Sequence, residues 1–126
     1  MTKILIVEDD PLLAKDLQRE LVRFGYDVVG IAGSAAEALV EAGRYCPDLT
    51  LMDVNIDGSV DGIQTAQMLN STCRMPIIFL TSSSDEQTVI RAVKEHPCGY
   101  LLKPVSPLNL KQSIKMALLN SKDAAA

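Results

Sequence analysis

Two apolar runs in this chain end in acids: Ile4-Leu5-Ile6-Val7 leads directly into Glu8-Asp9-Asp10, and Leu49-Thr50-Leu51-Met52 into Asp53. A buried strand gains nothing structurally from carboxylates at its tip, because charge there is costly unless a cation or a partner neutralises it. If the two runs are parallel neighbours, the acids meet at the carboxyl edge of a sheet, where open α/β folds place their ligands. Oxygen-only donors of this kind suit a hard divalent cation such as Mg²⁺. Asp10 stands apart from the other three acids. It occupies the position where the N-cap of the following helix belongs.

The elements that must position these acids follow from the hydropathy pattern. Short apolar runs at Lys3–Val7, Asp27–Ala32, Leu49–Asp53, Pro76–Leu80 and Gly99–Leu102 alternate with amphipathic stretches, which gives five βα units. Asp10-Pro11 supplies an N-cap followed by a first-turn proline, and Leu13, Leu17, Leu21 and Phe24 then fall on one helical stripe. Ser34 with Glu37 and Ser84 with Gln87 fit the capping-box spacing, Ser106-Pro107 repeats the cap-then-proline signal, and Gly25 is a helix stop. This rhythm predicts a doubly wound α/β fold with a five-stranded parallel sheet of order 2-1-3-4-5, right-handed crossovers and helices on both faces. Residues 1–120 form one domain in this reading, and residues 121–126 a flexible tail.

That order sets strands one and three side by side, so Glu8, Asp9 and Asp53 converge. The fourth strand then delivers Thr81-Ser82 and the fifth Lys103-Pro104 to the same edge. With acids, hydroxyl and amine at these strand ends, the chain resembles a response-regulator receiver domain of the two-component type, flavodoxin-like in fold, from Lys3 to about Leu119. The resemblance implies that Asp53 accepts a phosphoryl group from a sensor histidine kinase or histidine phosphotransfer protein. It implies Mg²⁺, with Mn²⁺ as a substitute, held by Asp9 directly, by Asp53, by Glu8 through water and by the backbone carbonyl of Asn55. Lys103 and Thr81 would bind phosphoryl oxygens, Thr81 and Tyr100 would act as the switch pair, and the Lys103-Pro104 bond would be cis. The changed surface would be helix four, strand five and helix five, open to an output domain, an effector or a second copy. Such a protein is a phosphoacceptor switch and not an enzyme, since it catalyses only its own phosphoryl transfer and dephosphorylation.

The loop after Asp53 departs from the receiver pattern. Asp57 stands at the customary proline position, and the segment to Asp61-Gly62 is one residue longer. Val105 replaces the usual aromatic after Lys103-Pro104, and His96 is read as a surface residue rather than a phosphorelay group.

Composition narrows the alternatives. Among the 126 residues the formal charge is −4, and no Lys/Arg cluster is long enough to follow a phosphate backbone, which argues against nucleic-acid binding by this segment. Cys46, Cys73 and Cys98 lack CxxC or zinc spacing and read as reduced, partly buried thiols of a cytoplasmic protein. No apolar run approaches the roughly 18 residues of a membrane span. A haloacid-dehalogenase-type phosphatase would need a general acid two residues after its nucleophile, where Asn55 stands, and a cap domain. A flavodoxin-like cofactor binder would need a phosphate loop after the first strand, and neither that nor GxxxxGK[ST] occurs.

Overall fold

The computed structural model describes residues 1–56, 60–82 and 86–125, with side chains described for these except residues 72 and 121–125. Its elements alternate without exception: β1 (Lys3–Val7), α1 (Pro11–Arg23), β2 (Asp27–Ala32), α2 (Ala35–Tyr45), β3 (Leu49–Asp53), α3 (Gly62–Thr72), β4 (Ile77–Thr81), α4 (Glu86–Lys94), β5 (Gly99–Leu102) and α5 (Pro107–Ala125). The sheet is parallel throughout in the order β2-β1-β3-β4-β5, as the alternation predicts. β4 starts and ends one residue later than expected. Pro76 has no N–H to give the ladder and contributes only its carbonyl, which accepts from Thr50 N at 3.1 Å.

Side chains of successive strand residues point to opposite faces, and each face is closed by its own helices. Leu5, Val7, Met52 and Phe79 face Ala38 and Ala42 of α2, Ile63, Ala66 and Leu69 of α3, and Ala92 of α4. Ile4, Ile6, Leu51, Ile78 and Leu80 face Leu17 and Leu21 of α1 and Leu110, Ile114 and Ala117 of α5. Strands β1, β3 and β4, buried on both faces, are therefore continuous apolar runs rather than alternating ones.

Most helix punctuation follows the sequence. Asp10 caps α1, its side chain accepting from Leu12 N and Leu13 N, and Gly25 ends the helix with φ 93°. Ser34 accepts from Glu37 N, but Glu37 reaches back to Gly33 N rather than to Ser34, so the box is offset by one residue. The full capping box is on α3, where Asp61 and Gln64 bond each other's backbone amides. The expected Ser84–Gln87 box lies partly outside the described residues. Ser106 Oγ accepts from Asn109 N at 3.1 Å. Helix α5 runs through Ala125 and so takes in residues 121–125, which the sequence reading assigns to a tail. Nothing in Ser121-Lys122-Asp123-Ala124 is a helix breaker.

The cysteines correct an expectation. Cys46 and Cys73 are joined in a disulfide with a Cα–Cα separation of 6.0 Å, and Cys98 alone is a free, exposed thiol. Twenty-seven residues apart in sequence, the pair meets because Cys46 caps the carboxyl end of α2 and Cys73 that of α3, two helices packed side by side. Among the described residues no helix is long and apolar enough to cross a membrane.

Candidate functional site

Adjacency of β1 and β3 brings the acids together. Glu8 and Asp53 are 3% exposed, Asp9 is half-buried, and one carboxylate oxygen from each lies within 4.8 Å of the others. This cluster could hold a metal ion. Oxygen donors alone at this spacing match a hard divalent cation in kind.

Lys103 enters from the end of β5. Its Nζ lies 2.9 Å from Glu8 Oε2 and 3.3 Å from Asp53 Oδ1. The preceding strand holds it there: Lys103 N donates to the Thr81 carbonyl at 2.8 Å, and the Lys103-Pro104 peptide is cis, as the resemblance implies. Thr81, at the tip of β4, is fully buried. Asn55 is exposed and its backbone N–H donates to Asp53 Oδ1 at 3.1 Å, so Oδ1 receives two donors.

Electrostatics record an excess of negative charge in a dry place. Burial is the largest influence on Glu8 and raises its carboxyl above the ordinary 4.5; the Lys103 hydrogen bond opposes this, and the Asp53 charge adds to it. For Lys103, desolvation alone would lower the ammonium. The Glu8 hydrogen bond and the charges of Asp53 and Glu8 together outweigh it, and the group lies above the ordinary 10.5. Both shifts favour the protonated form, as expected where carboxylates outnumber cations.

Tyr100 is half-buried and packs against the core face containing Phe79 and Ala92, with its hydroxyl buried and unpartnered. Asp10 is at the rim as a helix cap, its N–H donating to Glu8 Oε1 at 3.3 Å. Ser82 and His96 are exposed. Of the residues singled out in the sequence, Glu8, Asp9, Asp53 and Lys103 are drawn into one cluster, with Thr81 at the adjoining strand tip.

Three contributors escaped the sequence reading. The direct Glu8–Lys103 pair was one, because it spans 95 positions. A second is Gly62, whose N donates to the Val54 carbonyl at 2.8 Å and where any Cβ would overlap the Asp53 carbonyl. The Asp61-Gly62 dipeptide was the available signal. The third is Arg91 of α4, which pairs at 2.7 Å with the cap residue Asp61, and no local pattern announces a partner 30 residues away.

Comparison with known proteins follows the same lines. Residues 4–115 match the response regulator receiver domain family. Curated relatives include the transcriptional regulatory protein PdtaR of Mycobacterium tuberculosis, 36% identical over 98% of this chain and 60% of the relative. The alkaline phosphatase synthesis transcriptional regulatory protein PhoP of Bacillus subtilis is 35% identical over 98% of this chain and 51% of its own length. The chain thus spans only about half to three-fifths of these relatives. Among solved structures, the signal receiver domain of a modulated diguanylate cyclase from Desulfovibrio desulfuricans G20 is 43% identical, with a TM-score of 0.91 over 97% of both chains. The N-terminal domain of a response regulator/sensory box/GGDEF protein from Carboxydothermus hydrogenoformans is 32% identical, with a TM-score of 0.90 over 99% of this chain and all of that one. With its strand order, its acidic edge and these likenesses in agreement, the chain belongs to the response-regulator receiver family of two-component systems.

Proposed function

We propose that Asp53 is the phosphoacceptor of a Mg²⁺-dependent receiver, charged by a histidine kinase or a histidine phosphotransfer protein. The observation that carries this reading is the convergence of Glu8, Asp9 and Asp53 within 4.8 Å, with the Lys103 ammonium 3.3 Å from Asp53 Oδ1. Oδ1 already receives the Asn55 N–H and Lys103, which leaves Oδ2 as the attacking atom. Oδ2 bonds to phosphorus as the phosphorus–nitrogen bond of the donor breaks, and the donor imidazole departs with that electron pair.

Asp9 and Asp53 would hold the cation directly, Glu8 through water, and the Asn55 carbonyl would complete the protein's share. Mg²⁺ supplies neutralisation of charge on the transferring group. Lys103, a compact cation already poised between two carboxylates, transfers its hydrogen bond to a phosphoryl oxygen, and the Thr81 hydroxyl donates to another. The phosphoryl group adds roughly −1.5 to −2 charges and draws Thr81 and its loop inward, while Tyr100 adjusts in the space beside it. The surface that changes is α4, β5 and α5, where Ile90, Val93 and Leu102 are exposed apolar side chains. An output domain, a separate effector or a second copy would read it, in the cytoplasm.

Incubation with acetyl phosphate and Mg²⁺ should add one phosphoryl group by intact mass, removable by hydroxylamine as an acyl phosphate is. Asp53→Asn should take up none, whereas Thr81→Ala should still be labelled but respond weakly to labelling. A label that persists in Asp53→Asn sinks the assignment.

A further inference from the structure

We propose that Cys46 and Cys73 are a reversible thiol–disulfide pair, a redox modification site at the edge of the sheet opposite the acidic cluster. Its oxidation fastens the carboxyl ends of α2 and α3 to each other. The two Cα atoms are 6.0 Å apart, inside the range a disulfide spans without moving the backbone. Each cysteine is a helix C-cap whose N–H is already bonded, Cys46 to the Ala42 carbonyl and Cys73 to that of Leu69, each at 2.8 Å.

Reversibility rests on what holds the two turns apart from the sulfur bond. After Cys46, Asp48 N donates to the Lys3 carbonyl at 2.8 Å, and the Asp48 carboxylate accepts from Lys3 N at 2.7 Å. After Cys73, Met75 N donates to Asn70 Oδ1 at 3.2 Å, and the Pro76 carbonyl accepts from Thr50 N at 3.1 Å. Hydrogen bonds independent of the sulfurs therefore keep the thiols adjacent when reduced, and closure becomes an intramolecular step at high effective concentration. Cys98 lies elsewhere, beyond α4, and takes no part.

The oxidant is a small disulfide of the glutathione type. The exposed Cys46, as thiolate, attacks one sulfur of oxidised glutathione, and one glutathione thiolate leaves. The Cys73 thiolate then attacks the Cys46 sulfur of that mixed disulfide and expels the second glutathione. Two protein thiols have lost two electrons and two protons, and one glutathione disulfide has become two thiols. A disulfide that forms and reopens in this way is the kind expected of redox sensing in a reducing compartment.

The purified chain, equilibrated in glutathione buffers stepped from reducing to oxidising, should be denatured in acid, alkylated and mapped. Cys46 and Cys73 should lose alkylation in step, with a linked peptide pair appearing, while Cys98 never joins either. Reductant should lower the melting midpoint of the oxidised protein by roughly 10 °C. Cys46→Ser and Cys73→Ser should both melt near the reduced wild type, with or without reductant. Separate glutathione adducts, independent alkylation, or a midpoint indifferent to reductant would overturn the pairing. Protection of both cysteines at every glutathione ratio would overturn its reversibility.

Discussion

The two edges of this sheet are built on opposite terms. At the carboxyl edge, Glu8, Asp9, Asp53 and Lys103 crowd carboxylates and one ammonium into a space mostly withdrawn from water. At the amino edge the same strands start from turns closed by backbone hydrogen bonds and one neutral covalent bond. The first arrangement has unbalanced charge that a bound cation could relieve. The second ties its turns with hydrogen bonds and a covalent bond, and holds the helices while the other end changes. A receiver needs both, since a switch works only if part of the molecule stays put.

The largest expected effect tests the quiet edge. Under oxidising conditions, Cys46→Ser should lose about 3.5 kcal/mol in urea unfolding, the loop-closure value for a bridge of this span. A loss well under 1 kcal/mol would show that the amino edge needs no covalent support. Next comes Gly62→Ala at the active edge, about 3 kcal/mol, because the added methyl has only the Asp53 carbonyl and Val54 backbone to push against. Wild-type stability in that variant would mean that α3 stands further from Asp53 than described here.

Mg²⁺ gives a smaller and sign-bearing contrast. If it is held by the folded cluster and not by the dispersed acids, as proposed, then at tenfold above its dissociation constant it should stabilise by about 1.4 kcal/mol. Asp9→Asn should match or exceed wild-type stability in EDTA and lose most of the Mg²⁺ response. Equal midpoint shifts in the two proteins would remove Asp9 from the ligand set. The smallest effect concerns Tyr100, whose buried hydroxyl lacks a partner: Tyr100→Phe should stabilise the unphosphorylated protein by about 1 kcal/mol. A destabilised variant would reveal a hydrogen bond to that hydroxyl in solution.

Much of the active edge was legible because its cues are local. Strands buried on both faces read as mostly apolar runs, and an acid after such a run has no structural excuse. The strand order then supplied Thr81 and Lys103 from positions that look ordinary alone. What escaped was set by pairs distant in sequence. Glu8 was assigned to a water-mediated ligand role, yet in the fold it is also the direct partner of Lys103. Three scattered cysteines carry no spacing signature, and only the packing of α2 on α3 shows that two of them are neighbours. The Arg91–Asp61 pair illustrates the same limit, since a cap residue and a helix-four arginine meet only once α3 and α4 have packed on the same face of the sheet.

The bond from Gly62 N to the Val54 carbonyl has a practical consequence for anyone editing this chain. It closes the base of the segment between β3 and α3, tying the backbone just after Asp53 to the first residue of α3 whatever lies between them. Partner-selecting peptides, reporter tags or a sensor insert spliced between those two tied residues would start from ends already held together, and could be screened as interchangeable cartridges. Loop-closure cost grows only with the logarithm of insert length, about 0.6 kcal/mol per doubling.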